Sequence, residues 1–196
     1  MNLRNKIFAL CLVFMLGITC LNAQSTYVSD STSSVAGFGG PMLSMGAING
    51  NFAAFLGGSG GLLIKDFSVG AFVLWQTTQI TDWNKPENYF NTMCGGIMLG
   101  YSFLCDKTVH PVVELLAGLG SMNSFLRSSY AVNRADKSQI YGIIPRLGAE
   151  FNLGNYVRIG LGIEYRYFGF MKHNDNFSSS DISSPSGYIV LKLGEF

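Results

Sequence analysis

Residues Tyr141 to Phe168 read YGIIPRLGAEFNLGNYVRIGLGIEYRYF. Up to the turn at Leu153-Gly154-Asn155, Tyr141, Ile143, Pro145, Leu147, Ala149 and Phe151 alternate with Gly142, Ile144, Arg146, Gly148, Glu150 and Asn152. After it, Val157, Ile159, Leu161, Ile163, Tyr165 and Tyr167 alternate with Arg158, Gly160, Gly162, Glu164, Arg166 and Phe168. Side chains on a strand point to opposite faces in turn, so the stretch predicts a β-hairpin with two unlike faces. One face is apolar and ends in aromatics, which suits lipid. The other mixes glycine with arginine and glutamate, which suits the inside of a narrow barrel. A one-residue slip in register would exchange the two faces.

The composition points the same way. Glycine is 24 of 196 residues, against a usual share of about 7%. Charged residues are 13%, where about 25% is ordinary. Mean hydropathy is +0.27. Yet no run after the N-terminus approaches the ~18 apolar residues that a membrane helix needs. A hydrophobic, glycine-rich, charge-poor chain without such a run is expected to be a membrane β-barrel.

Residues 1–23 read as a secretory signal peptide. Arg4 and Lys6 form the basic start, Ile7 to Leu21 the apolar segment, and Leu21-Asn22-Ala23 the cleavage site before Gln24. A lipid anchor on Cys20 fits less well, because Thr19 precedes it and no leucine stands three residues before it. Without residues 1–23 the chain keeps eleven basic and twelve acidic residues, net −1. That balance gives no basic field for nucleic acid. Residues 24–34 are a polar lead-in, and residues 35–196 the barrel. Cys94 and Cys105 remain after export. Eleven strand residues at roughly 3.3 Å each separate them by about 36 Å, whereas a disulfide needs Cα atoms within about 7 Å. Both cysteines are expected to be unpaired.

Eight strands are expected, near 35–48, 52–64, 68–79, 92–104, 109–120, 141–152, 156–168 and 187–196. Asn49-Gly50-Asn51 is a tight-turn signal. The turns at Lys65, Cys105 and Gly154 are short, and the segments 80–91, 121–138 and 169–186 are long and polar. Alternating short and long connections predict short turns on the periplasmic side and longer loops outside. The expected fold is an all-β, eight-stranded antiparallel up-and-down transmembrane β-barrel.

The signal peptide ending Asn22-Ala23-Gln24, the glycine-rich hairpins and the terminal Phe196 resemble the small outer-membrane β-barrel (porin-like) proteins of Gram-negative bacteria. The resemblance is architectural and covers nearly the whole mature chain. It implies the cell outer membrane as location, membrane lipid and the barrel-insertion machinery as partners, and Phe196 as the C-terminal insertion signal. On the last strand, Lys192 and Gly194 share the parity of Tyr188, Val190 and Phe196. A bulge, or a lysine reaching to the interface, would reconcile that parity with an outward aromatic.

Glu114, Arg146, Glu150, Arg158, Glu164 and Arg166 all fall on faces expected to line the lumen. An eight-stranded barrel is just wide enough for side chains to fill, so these six are expected to form an ion-pair network rather than a conducting path. Trp75, Tyr101, Phe103, Tyr165 and Tyr167 are expected at the membrane interfaces, together with Phe151, Tyr156 and Phe168. Trp83, Tyr89 and Phe90 lie in a loop, where packing or ligand stacking are the two readings.

No catalytic residue, metal site or cofactor is assigned. Gly57-Gly58-Ser59-Gly60-Gly61 lacks the lysine of a phosphate loop. Outer-membrane lipid A deacylases carry a His-x-Ser pair, but Pro111 follows His110 and Asn174 follows His173. His173, Asp175 and Ser178 to Ser180 share an expected outer loop, as in acyltransferase barrels, the weaker case for a lipid A-modifying enzyme. The expected function is non-enzymatic: a structural or interaction barrel, or an accessory subunit of an outer-membrane assembly. A small porin or hydrophobic-solute channel is the first alternative.

Overall fold

The computed structural model describes residues 35–48, 50–81, 88–104, 107–127, 132–171, 178–194 and 196. The strands are β1 (Val35–Ile48), β2 (Asn51–Ile64), β3 (Phe67–Gln76), the two-residue β4 (Ile80–Thr81), β5 (Asn88–Ser102), β6 (Val109–Arg127), β7 (Val132–Asn152), β8 (Val157–Phe170) and β9 (Ser184–Gly194). A helical turn, α1, covers Ser179–Ile182. Strand order is β3-β2-β1-β9-β8-β7-β6-β5, every pair is antiparallel, and β3 also pairs with β5. That last pairing closes eight long strands into an up-and-down barrel. A closed barrel leaves no sheet edge in the membrane.

The alternation predicted for residues 141–168 sets the two faces. Leu161 is 46% and Ile163 66% exposed, while Arg158, Glu164 and Arg166, of the opposite parity, are buried. The same division holds on β5, where Ile97 and Leu99 face out and Cys94 and Met98 face in. Among the described residues no helix is long and apolar enough to cross a membrane. The strands do the crossing.

The turns follow local chemistry. Gly50 (φ 74°) and Gly154 (φ 96°) occupy left-handed backbone, which glycine adopts without the Cβ clash other residues meet. Two prolines leave gaps in the ladder. The β7–β8 pairing stops at Ile143↔Tyr167 and resumes at Arg146↔Glu164, skipping Pro145. The β1–β9 pairing stops at Gly39↔Leu193 and resumes at Met42↔Val190, skipping Pro41. Proline has no N–H to give at those positions.

Three expected boundaries are corrected. The segment 121–138, expected as a loop, is largely strand, because β6 runs on to Arg127 and β7 starts at Val132. These strands have 19 and 21 residues, well beyond the 9–11 that a tilted crossing takes. Their hairpin therefore continues past the membrane-spanning height, with a register shift at Ser124/Phe125. The segment 80–91 carries β4 and the start of β5. The segment 169–186 contains α1 and the first residues of β9. Just after α1, Ser183 Oγ donates to Ser179 O at 2.7 Å and accepts from Phe168 N at 3.1 Å, which ties the helical turn to β8. The expected signal peptide and lead-in, residues 1–34, lie outside the described residues, as do Cys105, Trp83, His173 and Asp175.

Candidate functional site: the barrel lumen

The lumen holds two kinds of filling. Nearer the short turns it is ionic. Arg146 on β7 and Glu164 on β8 are directly opposite in register, and Arg146 Nε donates to Glu164 Oε2 at 2.7 Å. Arg146 Nη1 lies 3.7 Å from Glu114 Oε2 on β6. Lys192 Nζ, from β9, bridges Glu114 Oε1 at 2.7 Å and Glu150 Oε1 at 2.5 Å. Arg158 Nη1 is 3.8 Å from Glu150 Oε2. Arg166 Nε is 3.7 Å from Glu164 Oε1, and its Nη2 donates to Ser184 Oγ at 3.2 Å. Ser44 Oγ, from β1, donates to the other side of the Glu164 carboxylate. The network thus draws on β1, β6, β7, β8 and β9.

The six lumen residues expected from the sequence are all buried and all in this network. Three further members were not foreseen there. Lys192 is not at the interface: it is buried, and the even-numbered face of β9 is the inner one. A lysine bridging two carboxylates 78 and 42 residues away explains that parity without any bulge. His110 has the parity of Glu114, so a sequence signal for it existed. Its Nε2 is 3.3 Å from Glu150 Oε2 and its Nδ1 3.3 Å from Lys107 O. Asn152 Nδ2 donates to the same Lys107 carbonyl at 2.9 Å, fastening neighbouring short turns together. Ser44 had no signal, because β1 alternates weakly.

Each buried cation also has an aromatic face beside it. Arg146 lies 4.6 Å from the Tyr188 ring, Arg158 4.1 Å from Phe196, Arg166 4.2 Å from Phe55, and Lys192 5.2 Å from Phe38. Such contacts gain strength when the cation is out of water. Phe196 therefore turns its ring inward, towards Arg158, while its backbone N donates to Asn155 O at 2.9 Å.

Nearer the long loops the filling is apolar. Phe55, Phe90, Phe168, Leu74, Ile140 and Ile182 are fully or almost fully buried, and the rings of Phe55 and Phe168 stack at 6.2 Å. Phe168 is thus a lumen residue rather than part of an interface belt, and Phe90 packs inside rather than lying in a loop. Tyr89, on the opposite face of β5 from Phe90, stacks on Phe125 at 5.2 Å. Gly142 makes room for the plug: a Cβ there would stand 3.0 Å from both Cys94 Sγ and the Phe168 ring. Cys94 is a free, buried thiol in this layer.

On the outer surface, Phe67, Tyr101 and Phe103 pack edge-to-face at the short-turn end, with centroids 4.8 Å and 4.7 Å apart. Trp75, Tyr165 and Tyr167 are exposed towards the loop end. Between these groups the exposed wall is aliphatic: Val69, Ile97, Leu115, Leu147, Leu161, Ile189. Soluble proteins do not leave a continuous apolar girdle in water; a bilayer accepts it.

A closed eight-stranded barrel, oily outside and packed with ion pairs and aromatics inside, has the architecture of the small outer-membrane barrels of Gram-negative bacteria. Among solved structures, the Neisserial surface protein A (NspA) is similar in fold, with a TM-score of 0.52, 16% identity, and 84% of this chain and 99% of that chain covered. Ail, the attachment invasion locus protein of Yersinia pestis, aligns with a TM-score of 0.47 at 13% identity, over 85% of this chain and 100% of that one. No family model matches the sequence, and no curated protein matches it.

Proposed function

We propose that this is a non-enzymatic outer-membrane barrel whose lumen is a core rather than a channel. It works as a structural or interaction protein, or as an accessory subunit of an outer-membrane assembly. The observation that carries this reading is the filled lumen. The chain Glu150–Lys192–Glu114–Arg146–Glu164 crosses the interior, and the Phe55–Phe168 stack lies beyond it. A water-filled path would need to displace both. What remains for function is the outer end, where the long β6–β7 hairpin extends past the membrane-spanning height towards solvent or a partner.

In the same reading residues 1–23 are an export signal, and lipid is the solvent of the outer face. The insertion machinery reads Phe196 while the last strand is still extended, before its ring turns in towards Arg158. Planar-bilayer recording tests the core against the channel: purified protein is expected to give no stepwise conductance, and reproducible single-channel steps would reject the reading. Affinity capture of the protein from solubilised outer membrane tests the accessory-subunit half.

A further inference from the structure

The outward face of β5, β6 and β7 changes character in steps along the strands. Its aliphatic wall ends at the row where Leu119 pairs with Tyr141, beside which the Tyr141 and Tyr167 rings lie 6.1 Å apart. Four residues further out, Asn123 pairs with Asn91 on one side and Lys137 on the other. That row is polar: Asn123 Nδ2 donates to Asn91 Oδ1 at 3.5 Å, and Lys137 is exposed. One row beyond it, Tyr89 pairs with Phe125, and their half-buried rings stack at 5.2 Å with 15° between their planes.

An interface belt accounts for Tyr141 and Tyr167, which stand where the aliphatic wall ends. It does not account for an aromatic pair above a polar row. Six strand residues separate Leu119 from Phe125, about 20 Å along the strand at roughly 3.3 Å each. With strands tilted about 40°, the pair stands about 15 Å above the edge of the hydrocarbon. The headgroup layer of an ordinary bilayer is only about 5–7 Å deep on each side. The rings therefore lie above phospholipid headgroups, on a surface continuous with the one that lipid covers.

We infer that the Tyr89–Phe125 stack, with Asn91, Asn123 and Lys137 beneath it, holds the oligosaccharide headgroup of an outer-leaflet glycolipid. A ring face offers an apolar body and a negative quadrupole, which suit the C–H side of a pyranose. Carboxamides both donate and accept, as sugar hydroxyls require. The Lys137 ammonium supplies a point charge for a phosphate on the inner sugars. The contact rests on the outer-membrane location and not on a closed lumen, so conductance steps would leave it standing.

The mature protein is reconstituted in phosphatidylethanolamine–phosphatidylglycerol bilayers with a benzophenone-bearing phenylalanine in place of Tyr89. Illumination in the presence of lipopolysaccharide that keeps its core sugars is expected to give a glycolipid adduct, and lipid A without core sugars to give none. An equal adduct with lipid A, no adduct with either, or an adduct only to a second copy of the chain overturns the inference. The temperature at which the folded form is lost on unboiled gels gives a second readout. In the wild type it is expected to be several degrees higher with core-bearing lipopolysaccharide than with lipid A, and the difference to vanish when Tyr89→Ala and Phe125→Ala are combined. No difference in the wild type, or one that persists in the double variant, overturns the inference. Should the double variant not fold, the adduct decides.

Discussion

Arg146 and Glu164 stand opposite each other on adjacent strands and share a 2.7 Å charge-assisted hydrogen bond with no access to water. The bond is a cross-strand pair, the unit that stabilises a sheet, placed where its loss cannot be repaired by solvent. Removing one partner strands the other as a buried charge, a change that typically costs about 3–5 kcal/mol. Glu164→Gln is expected to lower folded stability by about that amount, read by urea unfolding in detergent with tryptophan fluorescence. Replacing both partners, Arg146→Met with Glu164→Gln, is expected to cost less than the sum of the two single changes. An additive double mutant would mean the two side chains do not interact.

Lys192 is the centre of the ionic layer. Lys192→Met leaves Glu114 and Glu150 facing each other without their shared cation. It is expected to destabilise the barrel more than Glu164→Gln does, because two carboxylates lose their closest cation, whereas after Glu164→Gln Arg146 keeps Glu114 and Arg166 keeps the Ser184 hydroxyl. The companion change Glu114→Gln in the Lys192→Met background is expected to restore part of the loss. Unfolding midpoints in urea give the order. Lys192→Met indistinguishable from wild type would remove the lysine from the lumen.

The Cys94 thiol is enclosed between the plug and the barrel wall, next to Gly142. In a Cys105→Ser background, a bulky maleimide is expected to leave the folded protein unmodified and to react fully after boiling in detergent. Rapid labelling of the folded form would indicate an open lumen. Gly142→Val is expected to destabilise the fold, because a side chain there meets Cys94 Sγ and the Phe168 ring at 3.0 Å.

The barrel was legible in the sequence wherever a strand has one face in lipid and the other in the lumen. On β8 that contrast sets Leu161 and Ile163 against Arg158 and Glu164, and period-2 alternation exposes it. The outer part of the β6–β7 hairpin, around Asn123 and Lys137, was read as loop for the same reason. Beyond the membrane-spanning height no lipid demands an apolar face, so the strand carries no alternation. The charged lumen residues followed from parity alone. Their partners did not, since pairing Glu114 with Lys192, 78 residues away, requires knowing how the barrel closes and in which register. Phe196 drew attention to the wrong side of β9: a terminal aromatic suggested an outward face, while Lys192 in the same phase marked an inward one.

Everything rests on lipid being the medium around the outward face of β8. Nitroxide labels are placed on cysteines introduced singly at Ile159, Leu161 and Ile163, in a protein with Cys94→Ser and Cys105→Ser, reconstituted in bilayers. Their relaxation by oxygen is compared with that by a water-soluble nickel complex. Strong oxygen relaxation with little nickel effect at all three sites is the expected result. Nickel access at these sites, or labels shielded from both agents by a second layer of protein, would contradict a membrane-spanning barrel.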